Sequence, residues 1–177
     1  EIDRLSQALI PLSDAKLFLD DTPGITVTEV RAKARRLMLE EGNLDLIVID
    51  YLQLMQGGKK AENRQQEISD ISRSLKALAK ELNVPILALS QLSRLVERSN
   101  EPPNLSHLRE SGALEQDADC VIFIHRPKTG EEEADIANIV EIRVEKHRNG
   151  PVGMVNMAFL KEYTLFMDLA KNMGTNG

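Results

Sequence analysis

Hydrophobic residues in this chain fall into short continuous runs that alternate with longer stretches of mixed character. The runs at 46–49, 84–89 and 118–124 contain few polar residues. Strands of that kind are buried on both faces, as in a parallel sheet covered by helices. A shorter segment at 16–20 also predicts a strand. The pattern therefore predicts an α/β fold built on a mostly parallel sheet.

Stretches with apolar residues at every third or fourth position predict the helices that flank this sheet. Residues 2–12 predict an amphipathic helix. A second helix begins behind a capping box at Thr26 and ends at Gly42. A long helix ends near Leu82, and a short one lies within 105–116. The buried stripe of the long helix comprises Ile68, Ile71, Leu75, Leu78, Ala79 and Leu82.

The last third of the chain changes from continuous to alternating hydrophobicity. Residues 139–145 alternate apolar and charged positions, which predicts a strand with one solvent-exposed face. Asn149-Gly150 is a strong hairpin turn, and residues 152–160 return as a strand. Residues 164–167 add one more. We therefore expect antiparallel strands at the C-terminal end of the fold.

Polar side chains stand where each buried run ends. Asp50 follows the first run, Ser90 and Gln91 follow the second, and His125 and Arg126 follow the third. Parallel strands bring their carboxyl ends to one edge, where ligands of such sheets bind. An acid at that edge suits the water shell of Mg²⁺ in nucleotide-hydrolysing folds. A helix-capping or ion-pairing role for Asp50 is the alternative, and the pattern by itself leaves both open.

Composition indicates one globular domain without a membrane segment. The 177 residues, 42% of them hydrophobic, suffice for a core, and no apolar run has membrane-spanning length. No signal peptide is visible, so we expect a cytosolic protein with no membrane partner. A net charge of −6 and 3% aromatic residues disfavour nucleic-acid binding by bulk charge or base stacking, which leaves phosphate contacts. The single cysteine, Cys120, is expected in the core.

The helical spacing starts immediately after Glu1, which is the pattern of a chain entered partway through a longer protein. We expect a partial domain at 1–171, truncated at its N-terminus, and a disordered tail at 172–177. Such a start predicts that the chain is a fragment of a longer protein.

The phosphate cradle G-x-x-x-x-G-K-[ST], whose amides and lysine hold nucleotide phosphates, is absent from the sequence. Gly58 and Lys59 come nearest, but Gln53 replaces the first glycine and Lys60 replaces the Ser/Thr. We therefore expect the cradle before residue 1. The chain alone is then expected to be inactive toward triphosphates.

Six segments of the sequence resemble one known family. They are LIVIDYLQLM at 46–55, ENRQQEI at 62–68, ISRSLK at 71–76, SQLSR at 90–94, LRESG at 108–112 with EQDAD at 115–119, and KHRNGP at 146–151. In this order they resemble the carboxy-terminal motor domain of the DnaB family of bacterial replicative DNA helicases, over nearly the whole chain. The resemblance implies a RecA-like core in a homo-hexameric ring around single-stranded DNA. It also implies ATP and Mg²⁺ as cofactors, and a primase and a helicase loader as partners.

The resemblance implies roles for four residues of a nucleotide site. Asp50 matches the Walker B acid, which positions Mg²⁺ through water, and Gln91 matches a sensor that couples phosphate state to the DNA loops. Lys146 and Arg148 match a basic pair that reaches the γ-phosphate of the neighbouring subunit, with Arg148 as the arginine finger. A guanidinium supplied across an interface neutralises charge that grows in the transition state. Without the resemblance, a solvated basic hairpin is the simpler interpretation.

Two loops are implied to contact DNA. Arg109, Glu110 and Gly112 match a loop lining the central channel, where a guanidinium and backbone amides suit sequence-independent phosphate contact. An ordinary Arg-Glu pair on a helix is the alternative interpretation. The other candidate channel loop contains three cations: Lys59, Lys60 and Arg64.

Three functions are compatible with these patterns. The leading one is a piece of a ring-shaped, ATP-driven DNA helicase that translocates on single strands. The second is a non-catalytic binding or assembly fragment of that motor. The third is a RecA-type recombinase ATPase, against which the segments 109–118 and 146–151 favour the helicase.

Overall fold

The described residues form three α-helices, three short 3₁₀ helices and six strands. The computed structural model describes Leu9 and residues 13–57, 63–92, 102–111, 113–127 and 139–169, with the backbone alone at 109–111. The helices are α1 (Val27–Glu41), α2 (Arg64–Leu82) and α3 (Leu114–Asp117), with 3₁₀ helices at Leu52–Leu54, Leu105–Ser111 and Lys161–Tyr163. The strands are β1 (Ile47–Ile49), β2 (Ile86–Ala88), β3 (Cys120–His125), β4 (Ile139–His147), β5 (Gly153–Leu160) and β6 (Leu165–Asp168). Most of the helix predicted at 2–12 lies outside the described residues, as does the tail at 172–177.

Helix α1 begins and ends at the residues that the sequence indicates. Thr26 Oγ1 accepts from the Glu29 backbone N–H at 3.3 Å, and Glu29 Oε2 accepts from the Thr26 N–H at 2.8 Å. At the other end Gly42 has φ +79°, and its N–H donates to the Met38 carbonyl at 3.0 Å. The capping box and the glycine C-cap are therefore confirmed.

The long helix α2 supplies most of the core. Asn63 caps its start by accepting from the Gln66 N–H at 2.9 Å, and Asn83 ends it in the left-handed conformation. Its predicted apolar stripe is buried or half-buried along its whole length, with Leu78 fully inaccessible. This stripe forms one cluster with residues from α1 and the segment after β1. The cluster comprises Val27, Leu52, Met55, Ile68, Ile71, Leu75 and Leu78.

Strands β1 and β2 pair in parallel, with Ile47 opposite Ile86 and Ile49 opposite Ala88. Ile49 and Ile86 pack against the α2 cluster. On these strands Val48 is 54% exposed and Leu87 is 52% exposed, so the prediction of strands buried on both faces is wrong for β1 and β2. The cause is that the described elements cover only the face that meets α2.

Strand β3 belongs to a second, four-stranded sheet in the order β3-β4-β5-β6. It pairs antiparallel with β4, so its predicted place in the parallel sheet is wrong. Val121 and Phe123 are buried, whereas Ile122 and Ile124 are exposed, because alternate side chains of one strand face opposite sides. Cys120 is exposed rather than in the core.

The antiparallel strands predicted at the C-terminal end are confirmed. The β4–β5 hairpin turns at Asn149-Gly150, and β6 follows with Leu160 opposite Leu165. By contrast, residues 16–20 form no strand. Their charged ends instead pair with α1, through Lys16–Glu41 at 3.0 Å and Lys33–Asp20 at 2.5 Å. None of the described helices is long and apolar enough to cross a membrane.

Candidate functional site

Asp50 stands at the carboxyl end of β1, where the chain leaves the parallel pair. The Leu89 N–H donates to the Ile49 carbonyl, and the Leu52 N–H donates to the Leu89 carbonyl, each at 2.9 Å. Asp50 and Tyr51 lie between these two bonds, and the peptide that joins them is cis. The Asp50 side chain is exposed, and within the described part of the chain it makes no hydrogen bond or ion pair. Its carboxylate is therefore available to an external ligand.

Gln53 joins the ends of the two parallel strands. Its side-chain Nε2 donates to Ser90 Oγ at 3.0 Å and to the Gln91 carbonyl at 3.1 Å. Its Oε1 accepts from the Gln91 N–H at 3.3 Å. The backbone of Gln91, the predicted sensor, is thus held by a side chain three positions beyond Asp50. The structure brings Asp50 and Gln91 to the same edge of the parallel pair, as strand order requires.

Arg64 fixes the segment after β1 onto the start of α2. Its Nη2 donates to the Gln53 carbonyl at 2.6 Å and to the Met55 carbonyl at 3.3 Å, and its Nη1 pairs with Glu67. Glu67 Oε1 also accepts from the Gly57 N–H at 2.7 Å. The Gly57 N–H and the Arg64 guanidinium hold the pKa of Glu67 below its ordinary value. Arg64, predicted as a DNA contact, is therefore engaged within its own chain.

A second apolar cluster connects Gln91 with the candidate DNA loop. Leu108, Val121 and Phe123 form its buried centre, and Leu92 packs against them. Leu92 directly follows Gln91, and Leu108 directly precedes Arg109 in the 3₁₀ helix Leu105–Ser111. Leu92 therefore packs the segment after β2 against the cluster that contains Leu108.

Lys146 lies near the end of β4, opposite Val121 of β3. Its ammonium donates to the Glu115 carbonyl at 2.5 Å and to the Gln116 carbonyl at 3.3 Å. Both carbonyls belong to α3, so Lys146 satisfies the end of a short helix. The resemblance predicts that Lys146 reaches a phosphate. In this structure its ammonium instead binds backbone carbonyls of its own chain.

Arg148 and Asp119 meet at the end of the β3–β4 ladder. The Arg148 N–H donates to the Asp119 carbonyl at 2.8 Å, and Arg148 Nη1 lies 3.2 Å from Asp119 Oδ1. The other carboxylate oxygen of Asp119 pairs with Lys76 of α2. The Lys76 ammonium holds the pKa of Asp119 below its ordinary value, with smaller contributions from Arg148 and Lys146.

The remaining predicted residues are only partly placed. The backbone of Arg109 and Glu110 lies in the 3₁₀ helix Leu105–Ser111. Gly112, Lys59 and Lys60 lie outside the described residues. Their predicted contacts with DNA stay predictions.

Sequence reasoning missed Gln53 and Asp119 as structural partners of the predicted site. Gln53 bonds across 38 positions, and Asp119 pairs with Lys76 across 43 positions. One signal was present for each: a polar residue inside an apolar stretch, at Leu52-Gln53-Leu54, and an acid at the start of an apolar run. Both patterns indicate a side chain with a fixed partner.

The residues at the strand ends fit Mg²⁺ held mainly by water and substrate. Within the described ranges, no group of three or more His, Cys, Asp or Glu side chains is placed to hold a metal ion. Mg²⁺ keeps several waters and often takes only one or two carboxylates together with nucleotide phosphates. The exposed carboxylate of Asp50 matches this donor set.

The fold and the strand-end site define a RecA-like α/β domain, with a parallel pair, flanking helices and a following antiparallel sheet. The sequence profile described as DnaB-like helicase C terminal domain matches residues 1–168. The chain belongs to that family. The predicted fold class and the family resemblance are confirmed, and family membership favours the helicase over the recombinase alternative.

Named relatives agree with this membership. The chain is 55% identical over 170 residues to the replicative DNA helicase DnaB of Geobacillus stearothermophilus, covering 95% of this chain and 37% of that protein. It is 52% identical over 176 residues to the replicative DNA helicase DnaC of Bacillus subtilis (strain 168), covering 98% of this chain and 38% of that protein. The chain therefore spans less than two fifths of these relatives' length.

Two solved structures resemble the fold closely. One, described as an ATPase domain, has a TM-score of 0.85 at 43% identity, with 94% of this chain and 60% of that chain covered. The other is a DnaB-like replicative helicase described with its interactions with primase. It has a TM-score of 0.84 at 43% identity, with 94% of this chain and 41% of that chain covered.

Proposed function

We propose that this chain is part of a hexameric replicative DNA helicase that couples ATP hydrolysis to translocation on single-stranded DNA and to duplex unwinding. The observation that carries this proposal is the joint between Gln53 and Gln91. It links the strand end that bears Asp50 to the segment that packs against the cluster containing Leu108. A motor needs such a connection between its nucleotide site and its DNA site. Family membership supports the same function.

Asp50 would hold Mg²⁺ through water beside the phosphates of ATP. When bound, the ion neutralises phosphate charge during hydrolysis. Asp50 contributes an exposed carboxylate that lies between two backbone hydrogen bonds at the end of β1, and Gln53 fixes the neighbouring turn that carries Gln91. The sequence lacks the phosphate-loop motif, so the rest of the phosphate site would come from residues outside this chain.

Lys146 and Arg148 would act on the nucleotide of an adjacent subunit. They lie at the end of β4, in the four-stranded sheet, whereas Asp50 ends a strand of the parallel pair. Placement on different sheets suits a ring in which each subunit contributes one part of two neighbouring sites. Arg148 is about half exposed, which leaves its guanidinium accessible from outside.

DNA would be gripped through its phosphates. Arg109, Glu110 and Gly112 supply the first candidate loop. Lys59 and Lys60 supply the second, in which Arg64 holds the loop onto α2 through Gln53, Met55 and Glu67. A net charge of −6 restricts such contacts to local cationic positions. A primase and a helicase loader are the proposed protein partners, and a related DnaB-like helicase is described with primase interactions.

The substitution Asp50→Asn tests this function in a full-length helicase that contains the chain. We expect ATP hydrolysis to fall by about 10²-fold or more, because an amide cannot replace the charge that positions the metal's waters. Asp45→Asn is the matched control, since Asp45 precedes β1 and binds only Asn43 among the described contacts. Hydrolysis at the unsubstituted rate in Asp50→Asn would reject the assignment.

The second candidate, a non-catalytic binding or assembly fragment, applies to the chain by itself. The absent phosphate-loop motif favours it. The purified chain is expected to show no ATP turnover above buffer. Clear turnover by the chain alone would reject this candidate.

A further inference from the structure

Asp119 contacts Arg148 at two independent points. Its carbonyl accepts from the Arg148 N–H at 2.8 Å, and its carboxylate lies 3.2 Å from Arg148 Nη1. The first contact orders the backbone of the turn, and the second orders the guanidinium. Together they fix both ends of the Arg148 side chain.

This pairing follows from the register of the sheet. Cys120 lies opposite His147, so Asp119 and Arg148 are the next pair beyond the ladder. The β-bulge in this pairing falls between Val121 and Ile122, on the other side of that pair. The antiparallel arrangement therefore brings the acid opposite the arginine at the position where the hairpin leaves the sheet.

Lys76 attaches Asp119 to helix α2, which packs in the main core. It pairs with the second carboxylate oxygen and is only 22% exposed. Its neighbours on α2, Leu75 and Leu78, are buried in the main core. The Asp119 carboxylate is thus held from a packed helix rather than from a loop.

Two cations contact the Asp119 carboxylate, and a third lies near it. Lys76 and Arg148 contact it, and Lys146 is close enough to help lower its pKa. Exposed ion pairs of this kind add little folding stability, and their main effect here is to orient Arg148.

We propose that Asp119, held by Lys76, is a positioning residue that orients Arg148 toward the phosphate of a nucleotide bound by an adjacent subunit. This inference rests on the proposed function of Arg148. Preorganised cations stabilise transition-state charge without reorganising during the reaction. Loss of the orienting carboxylate lowers the rate of the chemical step more than it weakens nucleotide binding.

The test measures kcat and KM for ATP in a full-length helicase that contains this chain. Asp119→Asn is expected to lower kcat about tenfold with KM within about twofold, because orientation acts in the transition state. Lys76→Gln should lower kcat in the same way, and Asp119→Glu should recover part of the loss. The double variant of Asp119→Asn with Lys76→Gln should be no worse than Asp119→Asn, since both changes act on one contact.

Asp70→Asn is the matched control, because Asp70 forms a similarly exposed pair with Arg73 on α2. It should leave kcat unchanged. Equal kcat in Asp119→Asn and the unsubstituted protein overturns the positioning role, and so does a raised KM with unchanged kcat.

Arg148→Ala in the same assay separates the two proposals. If that variant hydrolyses ATP normally, the finger assignment fails; if it is inactive while Asp119→Asn is normal, only the positioning role fails.

Discussion

Gln53 and Gln91 bind each other through two hydrogen bonds, one from the Gln53 amide to the Gln91 carbonyl and one from the Gln91 N–H to the Gln53 side-chain oxygen. The same Gln53 amide also donates to Ser90. The Gln53 side chain thereby joins the turns that follow β1 and β2, in addition to the backbone hydrogen bond between Leu52 and Leu89. The backbone of Gln91, the predicted sensor, is therefore bound to the segment that follows Asp50.

Replacing Gln53 by Ala should remove the side-chain hydrogen bonds between the two turns. The Gln91 N–H and the Ser90 hydroxyl each lose the Gln53 side chain as a partner, at a cost of about 1 kcal/mol per hydrogen bond. In a full-length helicase we expect DNA to stimulate ATP hydrolysis less, with nucleotide affinity retained. Gln66→Ala, which removes an exposed amide from α2, serves as the control. Normal stimulation by DNA in Gln53→Ala would show that the Gln53–Gln91 hydrogen bonds do not couple DNA binding to ATP hydrolysis.

Replacing Arg148 by Ala should abolish ATP hydrolysis and leave nucleotide binding largely intact. The guanidinium is proposed to act only when charge develops on the transferred phosphoryl group, a role worth about 10³-fold or more in rate. Single-turnover hydrolysis and nucleotide titration measure the two effects separately. Arg36→Ala removes a more exposed arginine from α1 and should change neither. Turnover close to normal in Arg148→Ala would remove the finger assignment.

Replacing Arg109 by Ala should weaken single-strand binding and reduce its dependence on salt. For single strands, the slope of log K against log salt falls by about 0.7 for every phosphate that the protein no longer neutralises. Binding of a labelled oligonucleotide at several salt concentrations measures that slope. Arg73→Ala, on the surface of α2, is the control. An unchanged slope in Arg109→Ala would count against the channel-loop assignment.

Replacing Glu67 by Gln should destabilise the chain in a pH-dependent way. The pKa of Glu67 is lowered in the folded state, first by the Gly57 N–H and then by Arg64, so its stabilisation is present above the ordinary pKa and is lost as pH falls through the folded value. We expect a deficit of about 1.5 kcal/mol near neutral pH, typical of a charged hydrogen bond. Urea unfolding at pH 7 and at progressively lower pH measures it. A gap between the two proteins that stays constant with pH would contradict this linkage.

Helices were predicted well because their signals are local. Thr26 with Glu29 marks the start of α1, and Asn83 marks the end of α2, each within one turn of the helix it limits. The buried stripe of α2 follows from spacing alone. These features need no knowledge of what the helix packs against.

Strand environment was predicted less well because it depends on distant partners. In β3, Ile122 and Phe123 are both apolar, yet one is exposed and the other buried. A run of apolar residues does not determine which strand pairs with it, or whether that strand runs parallel or antiparallel. The same limit explains why Asp50 was located at a strand end while its neighbour Gln53 was not linked to Gln91, since their contact depends on the pairing of β1 with β2.

The face of β1 and β2 that points away from α2 is exposed and apolar, and this affects how a particle mass measured for the chain in solution is interpreted. Val48 and Leu87 stand side by side there, and exposed apolar surface of this kind promotes association between copies. Particles formed by the purified chain can therefore arise from sheet faces that adhere to each other. Their mass would rise steadily with concentration and fall with mild detergent. A closed ring would instead hold a fixed number of subunits, so sedimentation at several concentrations distinguishes adhesion from assembly.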